Sequence, residues 1–313
     1  MHTCLRLKLR LVTGLFAAII AVCSGPWNSI HADPETLADG APIRTRLVSR
    51  DPYIQPGKTF WVGLVQEMKP GFHTYWRNPG TVGLATSITW ELPEGFSAGE
   101  IHWPVPMVTK MAAYDVWGYE DRAFLAIPIT APADLNHSET DSIQIRASVQ
   151  WMCCGDQCFP GFEDMALHLP VIGQNDSWPE PETIGHEEDF RKTLAVFPRM
   201  DSPWALTATF DPGSERVVIA GRWLHAHDGA YRISEGSRLQ FFGYDRIVSS
   251  ARGQNVSWTE QGFRLQAWLE EFTPTSDLSR LRGVLVCRQG KGKEKNAPTV
   301  YELDLPLETA EMD

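Results

Sequence analysis

Ser142-Ile143-Gln144-Ile145-Arg146-Ala147-Ser148-Val149-Gln150-Trp151 alternates without a break. Ile143, Ile145, Ala147, Val149 and Trp151 share one face, and Gln144, Arg146, Ser148 and Gln150 share the other. Successive side chains of a strand point to opposite sides, so this period predicts a half-buried β-strand. The period extends into Met152-Cys153-Cys154-Gly155-Asp156-Gln157-Cys158-Phe159-Pro160-Gly161-Phe162. There it puts Cys153 on the apolar face with Trp151, and Cys154 on the polar face. Gly155-Asp156 and Pro160-Gly161 are turn signals. Met165, Leu167 and Leu169 alternate with Ala166 and His168 and would run back as a second strand. The segment reads as a hairpin with Cys154 and Cys158 facing each other at its tip, close enough for a disulfide.

Outward from this hairpin the chain stays strand-rich. Thr59 to Val65 is dense in β-formers, Ile88, Trp90 and Leu92 alternate with polar residues, and Ala123 to Ile129 is a further strand candidate. Pro56-Gly57, Pro70-Gly71, Pro79-Gly80 and Pro93-Glu94-Gly95 mark turns. Short strands so separated from Ile43 to Val171 predict an immunoglobulin-like β-sandwich. Gly173 to Gly185, rich in Pro, Glu, Asp and Asn, reads as a linker, and His186 to Phe197 as a short helix. Strand patterns then resume at Trp204–Phe210, Arg216–Trp223, Arg238–Phe242, Phe263–Leu269, Leu281–Cys287 and Thr299–Leu305. The expected class is all-β: a sandwich domain over residues 33–172, a linker and helix over 173–197, and a second, smaller β domain over 198–313. Gly290 to Asn296 reads as a solvated turn.

The N-terminus sets the compartment. Arg6, Lys8 and Arg10 precede an apolar run from Leu11 to Val22, and small residues follow. This is the layout of a secretory signal peptide, with cleavage expected after Ser24 or Ala32. Net charge is −11, and about −14 once the three basic signal residues are removed. That acidity argues against nucleic-acid or anionic-membrane binding. No second apolar run approaches membrane length, so no transmembrane helix is expected in the mature chain.

Export makes cysteine spacing informative. Of six cysteines, Cys4 and Cys23 fall in the signal, leaving Cys153, Cys154, Cys158 and Cys287. Four are too few for a disulfide scaffold, and a chain this long buries ample core without staples. A disulfide across so small a loop adds little chain-entropy stabilisation. Its value is read as chemical, as a bond that a partner thiolate attacks and an internal thiol restores. No Lys, Arg or His lies inside the loop, and Asp156 would raise a thiol pKa, so activation has to come from elsewhere in the fold or from the partner. Three other readings stand beside exchange. The bond could simply pin a hairpin in a protein-binding module. Cys153, Cys154, Cys158 and a histidine could hold zinc, although adjacent cysteines point to opposite faces of a strand. Soft thiolates also favour Cu(I). Cys153 and Cys287 read as buried, inert thiols.

The hairpin, with its Cys-x3-Cys-x-Pro-Gly, resembles the periplasmic N-terminal (alpha) domain of the thiol:disulfide interchange protein DsbD. It is most similar to the relatives called suppressor of copper sensitivity proteins, type B. Gly71-Phe72-His73-Thr74-Tyr75-Trp76-Arg77-Asn78-Pro79-Gly80, then Gly83-Leu84, Leu92-Pro93-Glu94-Gly95 and Trp103-Pro104-Val105-Pro106, follow in that family's order. Tyr114-Asp115-Val116-Trp117-Gly118-Tyr119-Glu120 resembles the family's active-site cap. The resemblance covers about Arg44 to Val171 and implies a periplasmic oxidoreductase component that needs no cofactor or metal. Cys158 would form the mixed disulfide and Cys154 would resolve it. Tyr114, Asp115, Val116, Trp117, Gly118 and Tyr119 would cap the pair, and Asp115, Tyr75 and Trp76 would line the site. Implied partners are the thioredoxin-like domain of a DsbD-type membrane transmitter and exported thiol or disulfide isomerase-like proteins, with roles in cytochrome c biogenesis or copper tolerance. The family's membrane and thioredoxin-like portions have no counterpart in this sequence, and Cys153 is additional to the pattern.

Overall fold

A computed structural model describes residues 41–135, 142–173, 186–224, 237–271, 273, 278–288 and 297–310. The expected signal peptide, most of the linker and the Gly290–Asn296 turn lie outside the described residues. The class is all-β, with one short helix among the described residues. No helix among the described residues is long and apolar enough to cross a membrane.

Ten strands precede the helix: β1 Ile43–Ser49, β2 Thr59–Met68, β3 His73–Tyr75, β4 Ser87–Glu91, β5 Ser97–Ala98, β6 Met107–Met111, β7 Tyr114–Glu120, β8 Arg122–Thr130, β9 Ser142–Cys154 and β10 Cys158–Pro170. They form two sheets, in the orders β1-β2-β8-β5 and β10-β9-β3-β7-β6, with β4 also on β9. The alternation that opened the reading is realised in β9, where Ile143, Ile145, Ala147, Val149, Trp151 and Cys153 are all buried.

In β8, Ala123 to Ile127 are buried on both faces. Its second apolar face is covered by α1 (Glu187–Ala195), whose Phe190 ring meets Phe124 edge-on at 4.7 Å between centroids. Burying one such ring is worth about 2 kcal/mol. Glu187, Glu188 and Asp189 in the first turn of α1 and Lys192 in the last suit the helix dipole.

The remaining strands are β11 Trp204–Asp211, β12 Arg216–Trp223, β13 Arg238–Gly243, β14 Asn255–Thr259, β15 Gly262–Trp268, β16 Arg280–Arg288 and β17 Thr299–Thr309. They make one sheet in the order β13-β16-β17-β11-β12-β15-β14, antiparallel except where β11 runs parallel to β17. Strand β14 has no counterpart in the sequence reading, since Asn255, Ser257 and Thr259 leave it largely exposed.

The hydrophobic core runs without interruption from Leu64, Trp117 and Trp151 into Phe241, Phe242 and Leu285 of this last sheet. Trp76, Trp117 and Phe242 join the two sides, with ring centroids 5.5–6.3 Å apart in edge-to-face arrangements. Polar contacts lock the seam. Asn78 Nδ2 donates to the carbonyls of Gly243 (2.8 Å) and Asp245 (3.1 Å), while its Oδ1 accepts from Gly80 N at 3.0 Å. Gly80 is required there: its φ is +87°, and a Cβ would lie 2.0 Å from Ser250 Oγ.

Candidate functional site

Strands β9 and β10 pair in a register that sets Cys154 directly opposite Cys158, with Gly155–Gln157 as the connecting loop. The two are disulfide-bonded, with Cα atoms 4.1 Å apart. Their exposure is unequal. Cys154 is 0 % exposed, whereas Cys158 is exposed together with Asp156, Gln157 and Phe159. An incoming thiolate therefore meets Cys158 first, and Cys154 is the sulfur behind it.

The strand phase does separate Cys153 from Cys154, but Cys154 is not on a solvated face. Strands β3 and β7 continue the sheet beyond β9, and Tyr75 and Val116 close over Cys154, with Met111 and Met152 beside them. Cys153 faces the main core instead and is a free thiol. Burial pushes its pKa up to about 12. Cys287 is likewise free and buried, pushed up to about 11. Neither thiol is ionised near neutral pH, which makes both poor nucleophiles.

The cap sequence is a regular hairpin of β6 and β7. Val116 of this hairpin packs on Cys154, while Tyr114, at 46 % exposure, points to solvent. Trp117 turns to the opposite face and joins Trp76 in the core. Asp115 pairs with Lys110 across the hairpin at 2.5 Å, and its carbonyl accepts from Ser250 Oγ at 2.7 Å. Gly118 lies opposite Tyr75, where a Cβ would sit 2.0 Å from Thr74 O. Tyr119 is buried, and its hydroxyl donates to Pro104 O at 2.8 Å. The structure thus brings Tyr75 and Val116 together with the pair, and directs Trp76, Trp117 and the Asp115 carboxylate elsewhere.

Two residues that the sequence reading left without a role stand in the same row. The register runs Cys158–Cys154 between β10 and β9, Cys154–His73 between β9 and β3, and His73–Glu120 between β3 and β7. His73 is 2 % exposed, and its Nε2 has no hydrogen-bond partner. Burial lowers its pKa, while the Glu120 carboxylate pulls it the other way. The Tyr75 hydroxyl is also buried without a partner, and burial, helped by Cys153, pushes it up to about 12. His73 was visible in the sequence inside the Gly-aromatic-His-x-Tyr stretch, and Glu120 at the end of the cap. Their alignment with the cysteines depends on strand pairing across long chain separations.

Exposed aromatic surface flanks Cys158. Phe162, at 73 % exposure, lies on the Cys158 face of β10 four residues further on, about 13 Å along the strand. Phe159 meets Phe72 edge-on at 5.9 Å.

Residues 44–170 match the family model of the N-terminal domain of the thiol:disulfide interchange protein DsbD. The matched stretch spans the first two sheets and contains the bonded pair, His73 and the β6–β7 hairpin. The chain also superposes on the N-terminal periplasmic domain of ScsB from Proteus mirabilis, with a TM-score of 0.59 at 12 % identity, over 87 % of this chain and 96 % of that one. At that identity the likeness concerns the fold. It extends past the DsbD-type stretch into the seven-stranded sheet. The pilin subunit BcpA of Bacillus cereus (TM-score 0.26, 9 % identity, 86 % of this chain and 69 % of that one) and Spo0M of Bacillus subtilis (0.22, 8 %, 84 % and 91 %) match too weakly to bear on the architecture. No curated protein matches the chain.

Proposed function

We propose that this protein is a periplasmic thiol–disulfide exchange module that passes electrons through Cys154 and Cys158. Its electron donor would be the thioredoxin-like domain of a DsbD-type membrane transmitter, and its acceptors exported thiol or disulfide isomerase-like proteins. The observation that carries this reading is the asymmetry of the bonded pair, with Cys158 open to solvent and Cys154 buried behind it. Exchange needs one sulfur that a partner thiolate can reach in line and a second that can leave and return. In this role Cys158 forms the mixed disulfide and Cys154 resolves it. Val116, on the β6–β7 hairpin, shields the inner sulfur, and the Phe72–Phe159 pair with Phe162 supplies apolar contact for a docking partner.

A bond that merely pins a hairpin would be inert to biological dithiols, so the two readings separate on redox behaviour. A reduced thioredoxin-fold protein is expected to reduce the Cys154–Cys158 bond at equilibrium, with a potential in the exchanging range above about −300 mV. A Cys154→Ala variant is expected to accumulate a mixed disulfide through Cys158. A bond that stays oxidised against such donors, together with no trapped complex, would remove the proposal.

A further inference from the structure

The transverse row Cys158–Cys154–His73–Glu120 crosses four adjacent strands at one level. Residues directly opposite one another in antiparallel strands project to the same face, with Cβ atoms about 4.5–5.5 Å apart. His73 is therefore the neighbour of Cys154 on the side away from Cys158. Its ring stands edge-on to Tyr75 at 5.1 Å, which fixes the imidazole plane. At the far end of the row stands the exposed Glu120, whose Oε1 accepts from Thr109 Oγ1 at 2.5 Å. A buried histidine nitrogen with no partner is costly and calls for a reason.

We propose that His73 is the general base for the resolving thiol Cys154, with the Glu120 carboxylate on the next strand stabilising its protonated form. The proposal rests on the exchange reading above. Cys154 has no other base beside it on the row, and a thiol buried to this degree does not ionise unaided at neutral pH. Burial keeps the imidazole neutral and able to accept a proton.

The step balances as follows. The Cys158 thiolate of the reduced pair attacks one sulfur of a partner disulfide, forming a mixed disulfide and expelling the partner's other sulfur as a thiolate. Cys154 Sγ–H then gives its proton to His73 Nε2. The electron pair left on Cys154 Sγ attacks Cys158 Sγ, remakes the Cys154–Cys158 bond and expels the partner's second sulfur. Two electrons have moved to the partner, and the imidazolium releases its proton to solvent. The titratable groups facing His73 are Glu120 from β7, Cys154 from β9 and Tyr75 from its own strand. Glu120 is the one whose charge raises the imidazole's proton affinity.

The test mixes the reduced protein, cut free of the expected signal segment so that Cys4 and Cys23 do not report, with one equivalent of the chromogenic aromatic disulfide DTNB in a stopped-flow instrument. The first thiolate released reports attack by Cys158, and the second reports resolution by Cys154. In the native chain the second rate is expected to level off by about pH 7, following an imidazole rather than a thiol. His73→Gln is expected to slow the second release about 100-fold at neutral pH, a gap that narrows as the solution becomes alkaline enough to ionise the thiol itself. Glu120→Gln is expected to move the native inflection to lower pH, because a negative charge has been removed. A native second rate that climbs tenfold per pH unit to about pH 9 would overturn the base assignment, and needs no variant to be seen. A His73→Gln profile superimposed on the native one would overturn it equally. A second release that survives Cys154→Ser would instead sink the exchange reading beneath it.

Discussion

The core-facing side of β9 and the end of β16 carry cysteines in closely matched surroundings. Cys153 and Cys287 are both free, buried in the main cluster, and held protonated by desolvation, at about 12 and about 11. One position along from Cys153, on the other side of the same strand, Cys154 is as deeply buried, yet it is bonded to an exposed partner and lies beside a histidine. Burial therefore does not distinguish the inert thiols from the paired one. The difference is what the opposite face offers: core apolar groups on one side, and a cross-strand cysteine, imidazole and carboxylate on the other.

The strongest way to break this comparison is by substitution at all four positions. Cys154→Ala and Cys158→Ala are each expected to abolish catalytic exchange with a thioredoxin-fold donor, while Cys153→Ala and Cys287→Ala keep it within about twofold and cost about 1 kcal/mol of stability each. Exchange assays and urea midpoints read both quantities, and loss of exchange in Cys153→Ala would show that the core-facing thiol takes part.

A second, smaller effect crosses the seam. Phe242 belongs to the seven-stranded sheet but packs on Trp76 and Trp117, whose chain neighbours Tyr75 and Val116 enclose Cys154. Phe242→Ala is expected to destabilise the protein by about 3–5 kcal/mol and to raise exposure of Cys154. Urea melts and alkylation of the reduced Cys154 thiol measure the two effects. An unchanged alkylation rate would mean that the two sides of the seam are mechanically independent.

The third prediction concerns pH. The folded-state pKa of His73 is below its unfolded value, so the unfolded chain binds more protons as the solution is acidified. The stability this neutral histidine permits is fully present above about pH 6.5 and is lost as pH falls through the folded value. His102 shifts in the same direction and adds to the slope. The melting temperature of His73→Gln is expected to fall less steeply than that of the native chain below pH 6.5. Parallel slopes would place the acid sensitivity elsewhere.

The smallest effect is expected at Tyr75. Its hydroxyl is buried without a partner, so Tyr75→Phe removes an unpaired polar group and leaves the ring packing on Cys154. Stability is expected to stay level or rise by up to about 1 kcal/mol in thermal melts. A loss greater than that would reveal a hydrogen bond made through water.

Much of this was legible because strand periodicity is local. The alternation from Ser142 to Trp151 specified a strand, its phase separated Cys153 from Cys154, and turn residues placed Cys158 across from Cys154. The sequence alone also carried the segment order that resembles the DsbD N-terminal domain. Apolar periodicity marked most strands of the seven-stranded sheet, but the exposed, polar β14 escaped because it shows no buried face. What periodicity cannot carry is register between strands far apart in the chain. His73 lies 81 positions before Cys154, and only the pairing of β3 with β9 and β7 aligns it with Cys154 and Glu120. The same holds for Asn78, Pro79 and Gly80, a turn by sequence. In the fold the Asn78 amide donates to the Gly243 and Asp245 carbonyls, and the N–H of the next residue, Thr81, donates to Ser250 Oγ, partners that the chain reaches more than 160 residues later. Local propensity determined the strands and the cysteine hairpin. The tertiary structure decided which buried polar groups meet across them, because hydrogen-bond register and shared core packing are fixed by the whole sheet at once.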